Sequence, residues 1–424
     1  MKTKMIQRNN AKFFMPSTLA AGCLLALAVP VSAADSLVDA LTGGKVSGAV
    51  RYRYEMVDQE GFAEKARAST VRTQLGYLTK NFRGFGAFLQ FEDVRAIGSE
   101  RYNSTTNTRT NYPVVADPSD TEVNQAYLSY AAPLKTTLKY GRQVITYDNH
   151  RFVGDVGWRQ NQQTFDAFSV SSLGISDSVL SVAHVTNANR IFSDQHLTQG
   201  NTRMGAEFLN FAYKGLKAGS LVAYGYFLDY EPGQSFPITA SNKTLGLRFD
   251  GATPIGKTKL LYTAEHARQS DYKDGASSVD AGYSYGMLGV DIAGVQIKFN
   301  YELLEGDGVY GLQTPLSTLH AHNGWADKFL TTPADGLVDR FISVGTTVKK
   351  VNLLAAYHSY VSDNLDYNYG REINLSASWK PKKDVTLLVK YASYDGDNNA
   401  NVLARNPALA KDVDKLWLQI GWEF

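Results

Sequence analysis

The stretch Asp291-Ile292-Ala293-Gly294, followed by Val295-Gln296-Ile297-Lys298-Phe299-Asn300-Tyr301-Glu302-Leu303 and then the long link Glu305–Gly336, decides the fold. Val295, Ile297, Phe299, Tyr301 and Leu303 alternate with Gln296, Lys298, Asn300 and Glu302. A strand points successive side chains to opposite faces, so this segment has one apolar and one polar face. A tight turn precedes it and a long polar link follows. The same unit recurs in both directions. Val46, Gly48, Val50, Tyr52, Tyr54 and Met56 interleave with Ser47, Ala49, Arg51, Arg53 and Glu55, and Ile373, Leu375, Ala377 and Trp379 interleave with Glu372, Asn374, Ser376 and Ser378. Segments of roughly ten residues suit tilted strands that cross a bilayer.

The links carry the decision, because alternation alone also suits a soluble sandwich. Long links fall near 96–121, 145–164, 186–204, 230–242, 269–280, 305–336, 361–368 and 395–412, and a shorter one at 57–65 joins the first two strands. Tight turns lie between them, near 80–84, 131–136, 173–177, 214–218, 251–256, 291–294, 349–350 and 380–384. Strict parity of short turns at one end and long loops at the other is the rhythm of an outer-membrane barrel. The expected fold is an all-β, transmembrane, antiparallel up-and-down barrel of about eighteen strands, one domain over 45–424. Closure leaves no backbone group unpaired against lipid.

The N-terminus agrees. Lys2, Lys4, Arg8 and Lys12 precede an apolar stretch from Leu19 to Val31, and Val31-Ser32-Ala33 supplies small residues. This reads as a secretory signal spanning 1–34, with a periplasmic lead-in at 35–44. Its apolar run is too short for a membrane anchor and contains Pro30. The sequence has 43 basic and 41 acidic residues, and removing the four in the signal leaves 39 basic residues, a net charge of −2. Nucleic acid then loses its electrostatic motive as a partner. Cys23, the one cysteine, lies within the signal, so the exported chain forms no disulfide. Ala20-Ala21-Gly22-Cys23 only faintly matches a lipoprotein cleavage site, since the usual Leu is missing.

At the other end Leu416, Leu418, Ile420, Trp422 and Phe424 alternate with Lys415, Trp417, Gln419, Gly421 and Glu423. This resembles the terminal strand by which outer-membrane proteins are read by the barrel-assembly machinery. Tyr52, Tyr54, Trp379 and Trp422 fit interfacial girdles.

A barrel of this width leaves an aqueous lumen, whose selectivity depends on charged rings and on loops folded inside. Arg51, Arg53 and Arg72 on the polar face oppose Glu55, while Arg248 and Lys298 oppose Glu92, Glu302 and Glu372. An arginine-lined wall attracting anions is the sharper reading, and a lumen of paired charges the plainer one. The third long link with its flanking strands is the least ordinary segment. Gly141-Arg142-Gln143, Tyr147 to Gly154, Gly157-Trp158-Arg159-Gln160 and Thr164-Phe165-Asp166-Ala167 set Arg142, Arg151 and Arg159 beside Asp148, Asp155 and Asp166. Aromatics beside opposed charges favour a segment at 145–164 packed inside the barrel as its constriction, over a loop ordered on the surface.

At these residues the sequence resembles the alginate-export family of outer-membrane porins. The strand ending Leu75-Gly76-Tyr77 and the segment Phe91-Glu92-Asp93 are similar too, so the resemblance covers the first half, and the second half matches in rhythm. It implies a monomeric eighteen-stranded barrel whose electropositive constriction, here Arg142, Arg151, Arg159, Asp148, Asp155 and Asp166, passes an acidic polysaccharide. Relatives under this name pass other solutes as well.

Competing chemistry is weak. Gly282-Tyr283-Ser284-Tyr285-Gly286 spells a nucleophile elbow, yet it lies in an alternating strand with no helix after it. His184, His266 and His358 show no spacing with a serine and a carboxylate that would mark a barrel hydrolase. Asp395-Gly396-Asp397-Asn398-Asn399 begins like a calcium loop but has Ala400 at the sixth position and Asn406 at the twelfth. His320 and His322 lack a third metal ligand. No cofactor motif is present, and the barrel begins too soon after the signal for a plug domain. The expectation is a non-enzymatic channel in outer-membrane lipid, passing small hydrophilic or anionic solutes. A dedicated acidic-polysaccharide exporter is the alternative, and an outer-membrane barrel hydrolase, with Ser and His converging on the wall, is the more distant one.

Overall fold

The computed structural model describes residues 34–424, so the expected signal lies outside it apart from Ala34. The lead-in holds a six-residue helix, α1 (Leu37–Thr42). Eighteen strands follow among the described residues, from β1 (Lys45–Gln59) to β18 (Val413–Glu423), each antiparallel to its neighbour in sequence. Strand β1 pairs with β2 (Ala66–Leu78) on one side and with β18 on the other, from Ala49↔Glu423 to Gln59↔Val413. The sheet is therefore a closed barrel without edges.

Turn chemistry sets the parity. Ala293 and Gly294 (φ 53° and 86°) and Lys349 and Lys350 (φ 48° and 71°) make two-residue turns in the left-handed region. Such turns match the twist of the strands they join. Residues 97–119, 144–163 and 305–336 connect strands at the opposite end.

Burial is inverted relative to a soluble protein. Leu128, Leu288 and Phe299, all more than 60% exposed, belong to an apolar outer band, whereas Arg53 and Glu55 on the inner face are 0% and 1% exposed. An apolar outer band of this kind is a lipid-facing surface. The seam between the first and last strands is tight. A Cβ on Gly48 would lie 2.3 Å from the Phe424 ring, so the glycine makes room for that aromatic on the outer face. Phe424 in turn packs against Trp422 at 4.8 Å between centroids.

Candidate constriction

The inner face of β1 and β2 is covered by residues 144–163, which join β5 (Thr136–Gln143) to β6 (Thr164–Ser172). Arg51 donates from Nε to Gln160 Oε1 (2.9 Å), from Nη1 to the Gly157 carbonyl (2.8 Å), and from Nη2 to the Arg159 carbonyl. Gln160 donates from its amide to Asp117 Oδ1 (2.8 Å) and from Nε2 to Thr70 Oγ1 (2.9 Å). Arg159 pairs with Glu55 and approaches Asp117 to 3.6 Å. On the far wall Arg151 meets Glu302 at 3.1 Å. Tyr147 stacks on Tyr226, and Phe152 contacts Tyr224, Tyr226 and Tyr283. Backbone groups that a loop would otherwise leave to water are here met by wall side chains.

A second segment, 305–336, between β13 (Val295–Leu304) and β14 (Leu337–Val348), is bound to the first. Gly154 N donates to the Leu316 carbonyl (2.8 Å), Thr318 N to the His150 carbonyl (3.1 Å), and Val156 N to Thr318 Oγ1 (3.1 Å). Glu372 on the wall accepts from the amides of Trp325 and Ala326 at 2.5 and 2.8 Å. Asn323 donates to Glu302 at 2.9 Å, so Glu302 serves both segments. From sequence 305–336 reads as a long polar link with no inward role. The available signal was its buried apolar content, Leu312, Leu316, Trp325 and Phe329, which a solvated link has no use for.

Where the two segments meet β17 (Val385–Gly396) and β18, Lys390 sits in an indole box. Its Nζ lies 3.7 Å from the Trp325 ring, 4.2 Å from Trp158 and 5.5 Å from Trp417. Desolvated cation–π contacts of this kind contribute about 2 kcal/mol. The same ammonium is 2.7 Å from His320 Nε2, and His320 Nδ1 is 2.7 Å from Asp327. That order fixes a neutral ring, accepting from the lysine and donating to the carboxylate. Burial holds the His320 pKa well below the ordinary histidine value, and Lys390 adds to the effect against Asp327. Burial opposes charging of Asp327 too, but the hydrogen bond donated by the His320 ring and the Lys415 ammonium outweigh it and hold its carboxyl below the usual range.

The sequence-derived candidates divide three ways. Arg51, Arg53, Arg72, Arg248 and Lys298 all stand on the inner face. The first three, with Arg151, Asp155 and Arg159, are under 9% exposed, because the two segments cover them. Arg51, Arg53, Arg151 and Arg159 join loop to wall and Arg72 lies covered beside Glu92, which corrects the picture of an arginine wall open to solute. Arg53 donates to Gln419 (2.7 Å) and lies over the Trp158 ring, Arg72 approaches Glu92 (3.7 Å), and Arg248 pairs with Asp250 and Glu265. Asp148 accepts from Asn210 at 2.7 Å. Arg142 and Asp166 are misassigned by sequence. They pair with each other across β5 and β6 at 2.9 Å, two register positions from the exposed pair Tyr140 and Phe168 and so on the same face. Gln143 and Phe165 are buried on the inner face, and alternation then turns Arg142 and Asp166 outward.

Other motifs resolve as structure. Ser284 is a strand residue of β12 (Asp280–Ile292) on the outer face, with its hydroxyl 3.0 Å from His266 Nδ1. Asn399 caps α2 (Ala400–Arg405), accepting from the amides of Asn401 and Val402, so the Asp395–Asn399 run is a helix entrance. His358 faces Asp339 (3.0 Å) inside the barrel, and His184 meets Glu207 (2.6 Å) outside it. Asp120, Glu122 and Asp194 bring carboxylate oxygens within 4.8 Å of one another, with Asp120 held by Ser193 and Gln195.

A family model described as alginate export matches residues 45–416. No curated protein sequence matches the chain significantly. Among solved structures, OccAB4 of Acinetobacter baumannii superposes with a TM-score of 0.70 at 12% identity, covering 89% of this chain and 97% of that one. OccD3 (OpdP) of Pseudomonas aeruginosa gives 0.67 at 14% identity, covering 90% and 91%. OpdK of Pseudomonas aeruginosa, solved with vanillate, gives 0.67 at 11% identity, covering 90% and 98%. At these identities the likeness establishes a shared fold.

Proposed function

The chain belongs to the alginate export family, and on that premise we propose that it is an outer-membrane channel for passive passage of small hydrophilic solutes. The observation that carries this reading is the pair of segments, 144–163 and 305–336, bound to each other and to opposite walls by buried ion pairs and hydrogen bonds. A wide barrel without such segments would be an unselective pore. With them, passage is confined to what the segments leave open, and the constriction consists of these residues.

Selectivity for anions or acidic sugars follows from the longer-range field of inner-face cations whose direct partners are neutral, the covered arginines acting without touching the solute. Arg51 is held by carbonyls and a glutamine, and Arg53 by a glutamine and an indole ring. Lys298 adds a half-buried inner-face ammonium nearer the short-turn end. These charges lower the barrier for an anion, while Glu55, Asp250 and Glu302 keep it from binding too tightly to leave. Reversal potentials in planar bilayers under a salt gradient test this. Anion selectivity that falls on Lys298→Gln and Arg53→Gln supports the reading, and cation selectivity unchanged by either refutes it.

The family description supports a second reading, export of an acidic polysaccharide. That role requires a delivery partner at the short-turn end. Co-purification of such a partner with the detergent-solubilised barrel distinguishes it from a diffusion channel.

A further inference from the structure

Helix α1 is fastened to the barrel's exterior, and its apolar side is left bare. Tyr77, an outer-face residue of β2, donates its hydroxyl to the Leu41 carbonyl (2.6 Å) and accepts from Gly44 N (2.9 Å). Lys80 closes the contact with its amide on the Ala40 carbonyl (3.1 Å) and its ammonium on Asp39 (3.0 Å). Ser36 caps the first turn through the Asp39 amide. The approach is close enough to require glycine, since a Cβ on Gly44 would lie 2.4 Å from the Tyr77 hydroxyl. The helix is thus held in a defined place beside the short turn at 79–84.

What it presents there is unusual for a water-facing helix. Of its six residues only Ala40 is buried, against the barrel. Leu37, Val38 and Leu41 are 58%, 68% and 55% exposed. Leu41 follows Val38 by three residues and Leu37 by four, so both lie on its face of the helix. Asp39, the one charge in the helix, is already neutralised by Lys80. Tyr77, which holds the helix, lies opposite Val46 in the register and two residues after Leu75 on the same outer face, and Val46 and Leu75 belong to the outer band at 54% and 53% exposed. Contiguous apolar surface that joins a lipid-facing band points to the same occupant.

We propose that α1 is an interfacial anchor, with Leu37, Val38 and Leu41 seated among the lipid chains of the leaflet at the short-turn end. The helix lies in the plane of that interface, at the level where Tyr77 joins the aromatic girdle. It adds a membrane contact outside the strands and holds the N-terminal approach flat against the leaflet, clear of the pore mouth. The proposal rests on the lipid-facing reading of the outer band, and the test separates the two.

In a Cys23→Ser background, nitroxide labels at Leu41→Cys, Leu75→Cys and Lys257→Cys would be compared in phospholipid vesicles by collision with oxygen and with a water-soluble nickel chelate. Leu75 reports the band and Lys257 an exposed short turn. The expected result is an oxygen-to-nickel ratio at Leu41 matching that at Leu75 and several-fold above that at Lys257. A Leu41 label as open to nickel as Lys257, with Leu75 still in lipid, overturns the anchor alone. A Leu75 label in water overturns the barrel reading as well. Dipolar broadening at Leu41 would show a second copy of the chain on this face and would also overturn the proposal. Heat-modifiable migration in detergent gels confirms that each labelled variant is folded.

Discussion

Replacing Arg159 by methionine should loosen the segment 144–163 and change the current the channel carries. The guanidinium lies between Glu55 and Asp117, which are 1% and 0% exposed at the side chain, and is itself 10% exposed. Removing it strands two carboxylates in a site built for a cation. Breaking a buried pair from one side costs about 3–5 kcal/mol, equivalent to roughly two to three and a half powers of ten in the closed-to-open ratio. Arg51 still holds the backbone at Gly157 and residue 159, so the segment is weakened at one end and not released. Single-channel recordings should therefore show excursions to a larger conductance that the native channel lacks, and limited proteolysis should begin to cut within 144–163. Adding Glu55→Gln removes one stranded charge and should restore part of the native behaviour, so that the double-mutant cycle gives a coupling of about 1–3 kcal/mol. A native conductance histogram and an unchanged proteolysis pattern in the single variant would refute the anchoring role.

The remaining expectations are shorter. Because burial and Lys390 keep His320 neutral in the closed arrangement, a released segment binds a proton below a pH of about 6.5 that the closed one does not, so closure weakens as pH falls through that value. Asp327, Lys390, Arg159 and the rings of Trp158 and Trp417 face this histidine, and Asp327 is already ionised throughout that window. Gating noise should rise between pH 7.5 and 5.5 in the native channel and lose that dependence in His320→Phe; identical profiles would count against the mechanism. Arg142→Ala should leave selectivity untouched and cost about 0–1 kcal/mol, since its pair with Asp166 is a third exposed on the outer face; an altered reversal potential would show the register argument to be wrong. Gly48→Leu should cut the yield of folded, heat-modifiable barrel, because the new side chain occupies the place of the Phe424 ring, and native yields would contradict that packing.

Most of the barrel could be read from the sequence because its signals are local. Alternation and link length are properties of about ten residues at a time, and the links at 293–294 and 349–350 carry their turn geometry within two residues. Alternation also placed Arg51, Arg53, Arg72, Arg248 and Lys298 on the inner face. Arg142 and Asp166 belong to a motif that spans loop and strand, and within its strands a shift of one residue reverses the face. The covering of the arginines was not legible. It depends on contacts such as Gly154 with Leu316 and Lys390 with Trp158 and Trp325, which join distant segments and impose no period on any of them. The single turn and a half of α1 is too short to show a helical repeat.

The indole box around Lys390 has an optical consequence. The chain has five tryptophans. Trp379 and Trp422 are exposed on the lipid side, while Trp158, Trp325 and Trp417 come from the two inner segments and the wall, and all three look onto one ammonium. Brominated acyl chains would darken the outer pair and leave the inner three emitting. Their wavelength and intensity then follow the distance between ring and charge, so the unlabelled protein carries its own fluorescent gauge of how firmly the channel's interior is fastened.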